Sequence, residues 1–158
     1  MSLYLYHATD KNNLESIKQN GLLINPPKHS YEKEIGVEIL EGKIFLALES
    51  YAAEAYAECA DECPENVVVL KVDLEALNQN DFDFDYNNRC EYDKYINSCV
   101  YKSDIPGNLL QECDPAKEPF QDIYTFKGTN MYETIMRIYD KMCETGSWNL
   151  EETNIDLD

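Results

Sequence analysis

Basic residues are scarce in this chain: 13 lysines and arginines stand against 31 aspartates and glutamates, for a formal charge of −18. The imbalance is steepest in residues 51–100, where 12 acids face 3 bases. Affinity for DNA or RNA comes mainly from cations that neutralise phosphates, so this composition argues against a nucleic-acid partner. It favours solubility or a basic protein as partner. Histidine is rarer still, with only His7 and His29. The six cysteines include no Cys-x-x-Cys pair, and the two that share a probable helix face, Cys59 and Cys63, have no histidine near them in sequence. Ordinary thiols are therefore expected, with no metal site and no disulfide framework. Long apolar runs are also missing, and none approaches the roughly 18 residues that a membrane span needs. Residues 1–7 have neither the basic start nor the apolar stretch of a secretory signal, so the expected setting is cytoplasmic, away from membranes.

The remainder is an ordinary globular composition, 44% apolar and 28% charged, enough for one domain with a real core. The boundaries expected are a single domain over residues 1–146 and an acidic tail over 147–158. Leu3-Tyr4-Leu5-Tyr6-His7 reads as a first strand ending at His7. Asp10 is placed to cap a helix with Leu14 and Ile17 on one face, and Gly21 to end it. Residues 28–42 read as a mobile polar loop. Ile44 to Leu48 is a compact strand, and Ser50 can cap an alanine-rich helix from Tyr51 to Cys63. Val67 to Asp73 is the clearest strand, Ile96 to Lys102 another, and Leu109-Leu110 can enter a third. Asn130 and Glu133 have the spacing of a capping box for a last helix through Cys143. Strands and helices in this order define an α+β domain.

Three segments together carry chemical meaning. The first is Tyr6-His7-Ala8-Thr9, then a helix, then Asn20-Gly21-Leu22. The second is Phe45-Leu46-Ala47 with Tyr56 nine residues after the alanine, and the third is the strand pair Val67–Asp73 and Ile96–Lys102. Over roughly residues 3–110 this resembles the ADP-ribosyltransferase superfamily, in the branch of the poly(ADP-ribose) polymerases and diphtheria-like toxins. That branch has a strand ending in His-Gly-Thr or His-Gly-Ser, then a helix and a Gly-Leu, and later a Tyr-Phe-Ala strand with a second tyrosine at the same nine-residue spacing. The resemblance implies split antiparallel sheets with flanking helices, and NAD bound as substrate.

Cleaving the bond between nicotinamide and ribose creates an oxocarbenium-like centre, so the ring must be held, the ribose oriented and positive charge stabilised. By resemblance, His7 binds a ribose hydroxyl and Ala8 offers its backbone to the nicotinamide carboxamide. Ala8 replaces the usual glycine, which requires negative φ there. Thr9 steadies the turn, Tyr56 stacks on the nicotinamide, and Phe45 takes the place of the other aromatic. The family's catalytic glutamate falls at Asn97, or at Ser98, neither of them charged. Glu91 and Asp93 lie just upstream and fill that role in a shifted register. The expected function is NAD-dependent transfer of single ADP-ribose units to a protein target. Two readings stand beside it on the same fold: a catalytically silent nucleotide-binding module, and an acidic protein-interaction module. An RNA 2′-phosphotransferase would need basic residues before His7, and the six that precede it include none.

Overall fold

A computed structural model describes residues 2–24, 44–60, 64–83 and 98–145. The architecture is α+β, built on a six-stranded antiparallel sheet. The strands are β1 (Tyr4–Asp10), β2 (Ile44–Ala47), β3 (Val67–Asp73), β4 (Phe82–Asp83), β5 (Ser98–Tyr101) and β6 (Leu110–Cys113). Their spatial order is β4-β5-β2-β1-β3-β6. Among the described residues three α-helices accompany them: α1 (Leu14–Asn20), α2 (Ser50–Ala60) and α3 (Asn130–Thr145). The expected loop 28–42 and the acidic tail 147–158 lie outside the described residues.

Alternation along the central strands divides the core into two faces. Leu5 of β1, Leu46 of β2, Val72 of β3 and Cys99 of β5 belong to the larger cluster, which Phe126 and the α3 residues Met131 and Ile135 complete. On the opposite face Tyr6, Ala47 and Val69 pack against Ala53 of α2. Small residues on α2 let it lie close to the sheet. Among the described residues, no helix is long and apolar enough to cross a membrane.

Several boundaries differ from the sequence expectation. Strand β1 does not stop at His7 but runs to Asp10, because β3 pairs with it residue for residue from Tyr4–Asp73 to Asp10–Val67. Asp10 still acts as a cap: its carboxylate accepts from the Asn12 N–H at 2.8 Å and opens a 3-10 turn that leads into α1. Glu49, not Ser50, caps α2, accepting from the Ala52 N–H at 3.2 Å, while Ser50 is the first helical residue. Thr129 takes the place expected of Asn130 at α3, with its hydroxyl accepting from the Tyr132 N–H at 3.1 Å. A capping box does occur, but earlier, between Asp122 and Thr125.

Gly21 ends α1 with φ 82°, and its N–H reaches the Ile17 carbonyl at 2.7 Å. The backbone then exchanges two bonds with the 104–107 turn, Leu22 N–H to Ile105 O and Ile105 N–H to Leu22 O, both 2.9 Å. A β-carbon on Gly21 would collide with the Ile105 carbonyl, and one on Gly107 with the Lys18 carbonyl, so both glycines permit this close approach.

Candidate functional site

The middle of the sheet is its weakest join. Strands β1 and β3 pair along their whole length, and β2 and β5 pair from Ile44–Tyr101 to Ala47–Ser98. Between β1 and β2, by contrast, Tyr6↔Ala47 is the one registered pairing among the described residues. The sheet is thus two three-stranded halves joined along a narrow seam.

Side chains bridge the seam on both sides of that pair. At one end the Gln121 amide donates to the Tyr4 and Leu48 carbonyls, each at 2.8 Å, and accepts from the Tyr4 N–H at 3.4 Å. At the other end the His7 ring meets the Phe45 carbonyl through Nδ1 at 2.8 Å. A carbonyl can only accept, so Nδ1 carries the proton and donates. Burial pushes the imidazole pKa below its usual value, and the bond to Phe45 offsets this only in part. The ring is therefore neutral at pH 7, and Nε2 presents a lone pair.

The direction of the β1 backbone follows from these contacts. Tyr4 points its N–H and C=O toward Gln121, whereas Leu3 points its carbonyl the other way, accepting from the Leu74 N–H at 2.9 Å. Alternate residues of a strand share a direction, so Tyr6 and Ala8 also face the seam. Tyr6 meets Ala47 there, and Ala8 lies beyond the last registered pair. Ala8 sits in extended backbone, where φ is negative, which satisfies the condition for alanine in place of glycine.

His7 and Phe45, 38 residues apart, meet directly. By alternation Phe45 shares the α2 face with Ala47, while the His7 side chain leaves β1 on the other face and reaches across the seam. Thr9 stands in β1 rather than in a turn; it is buried, and its hydroxyl accepts from Asn13 Nδ2 at 3.2 Å. Tyr56 falls in α2, one turn beyond Ala52 and Ala53, with its side chain outside those described. Glu91, Asp93 and Asn97 lie outside the described residues, and Ser98 opens β5 opposite Ala47. Among the described residues no cluster of histidine, cysteine and carboxylate side chains could hold a metal ion.

Sequence reasoning missed a polar group on the α2 face. Lys71 and Glu118 form a mostly buried ion pair at 2.9 Å, and the Tyr6 hydroxyl donates to Glu118 at 3.5 Å. The Lys71 ammonium also lies 4.6 Å from the centroid of the Tyr4 ring. The bond to Glu118 is the main cause that raises the Lys71 pKa. Burial and then Glu118 push the Tyr6 hydroxyl well above its usual value, and the same two causes raise the Cys113 thiol to about 11. The Glu118 carboxylate is thus committed to Lys71 and Tyr6, and that of Glu49 to the end of α2. No protein-family model matches the chain, and no curated protein does.

Proposed function

We propose that the chain is an ADP-ribosyltransferase-like domain that binds NAD at the seam between β1 and β2 and transfers ADP-ribose to a protein target. One observation carries the reading: the β1 edge facing the seam already holds a primary carboxamide. Gln121 bonds the N–H and C=O of Tyr4 through its side-chain amide. Ala8 directs the same pair of groups to the same side, four residues along and past the last registered pair. Nicotinamide carries the same functional group. His7 stands next to Ala8 with Nε2 as an acceptor, suited to a ribose hydroxyl, which donates. Phe45 and the helix α2, to which Tyr56 belongs in sequence, lie on one face of the sheet, and by resemblance an aromatic ring stacks on the nicotinamide there.

Titration calorimetry with NAD and with nicotinamide tests this on the wild type, His7→Ala and Tyr56→Ala. Saturable binding is expected in the wild type, at least tenfold weaker in each variant. Absence of binding at millimolar NAD would overturn the assignment.

A second reading, binding without turnover, draws on one specific feature. By resemblance the slot of the family's glutamate falls at Asn97, which directly precedes β5 in sequence and is uncharged. Asparagine can hydrogen-bond a ribose hydroxyl but supplies no anion to a developing cation. Nicotinamide release, measured on the wild type, Glu91→Gln and Asn97→Asp, separates the two. Turnover lost in Glu91→Gln favours the enzyme, and turnover gained only in Asn97→Asp favours the silent module.

A further inference from the structure

Gln121 has no part in the roles inferred from sequence, yet it is 3% exposed and touches both sides of the seam. A primary amide has two N–H donors and one carbonyl acceptor. One donor goes to β1 at Tyr4, the other to the end of β2 at Leu48, and the acceptor returns to Tyr4. Extending the Tyr6↔Ala47 register would set Tyr4 opposite Glu49. Glu49, however, has left the sheet to cap α2. The Gln121 amide thus stands in for a missing peptide group of β2.

Its own segment is fixed on both flanks. Three residues earlier Glu118 is pinned to Lys71, and directly after it Asp122 and Thr125 close a capping box. A side chain held this firmly sets the spacing of the strands it bonds.

We propose that Gln121 is a positioning residue, which fixes the separation of β1 and β2 at the Tyr4 end of the seam and thereby the spacing of the two strands toward Ala8. The part concerning ligand rests on the nucleotide reading above, whereas the part concerning strand spacing does not. Amide hydrogen exchange on the full chain tests the spacing, comparing the wild type with Gln121→Met, which keeps the length and loses every hydrogen bond. An Ile135→Val or Ile135→Ala variant, chosen to match the loss of stability, serves as control on α3.

In Gln121→Met, protection at Tyr6 and Ala47 should fall at least tenfold more than at Val69 and Val72 of β3, while in the control the four fall together. A uniform fall in Gln121→Met would overturn the proposal. In the same samples the Kd for nicotinamide should rise at least tenfold in Gln121→Met and stay near the wild-type value in the control. An unchanged Kd beside loosened seam amides would overturn the link to the site. A wild type that binds no nicotinamide would remove the nucleotide reading and leave hydrogen exchange to decide the spacing. If Gln121→Met does not fold, Gln121→Asn serves instead, because it keeps the amide but is one methylene too short to reach both strands.

Discussion

A histidine set among strand backbones titrates unlike one in water, and His7 carries that difference into stability. Its folded pKa lies below the unfolded value of about 6.5 because burial disfavours the imidazolium. Above that pH the ring is neutral in both states and its contribution is fully present. As pH falls through 6.5 the unfolded chain takes up a proton that the folded chain refuses, and stability declines toward the folded pKa, by at most about 1.4 kcal/mol per pH unit. Urea titrations at pH 7, 6 and 5 should show a larger loss in the wild type than in His7→Gln. Equal losses would mean that the ring ionises freely in the native state. On the proposed nucleotide reading, NAD binding should hold over that range and weaken only below the folded pKa, where the native ring itself takes up a proton and loses the acceptor at Nε2.

At the scale of elements, the contact of α1 with the 104–107 turn depends on missing β-carbons. Gly21→Ala combines an unfavourable positive φ with a clash against Ile105, and Gly107→Ala drives a methyl into the end of α1. Each should destabilise by about 2–4 kcal/mol. Gly128, at φ 90° but with open space around it, should cost only about 1 kcal/mol on substitution by alanine. Denaturant midpoints order the three, and a Gly128→Ala loss equal to that of Gly21→Ala would show that φ alone decides. Local patterns made this much of the fold readable: the valine run of β3, the compact β2, the alanines of α2 and the glycine after α1 all carry their signal within a few residues. The caps were less readable, since Ser50 and Glu49, or Asn130 and Thr129, are adjacent and chemically able to cap. Only the direction of the chain chooses between them. His7 and Phe45 drew attention through their motifs, and they meet. Gln121 and Glu118 gave no such signal, because each acts on strands far away in sequence and neither sits in a periodic pattern.

The whole molecule carries a charge of −18, and a compact state concentrates that repulsion. Salt shortens the screening length from about 10 Å at 0.1 M to about 3 Å at 1 M, so sodium chloride should raise the melting temperature by several degrees. A decrease would show that attractive pairs outweigh the repulsion; the mostly buried Lys71–Glu118 pair is little exposed to such screening. The bond between Gln121 and Tyr4, 117 residues apart, also bears on the order in which a growing polypeptide can settle. On the ribosome, β1 emerges early and waits for β3 to give it one neighbour. The other margin of β1 stays wet at Tyr4 until Gln121, 117 residues further on, has been made and has cleared the exit tunnel. A nascent chain stalled before that point holds both inner strands without the clasp between them, and the cell's chaperones would meet it in that state.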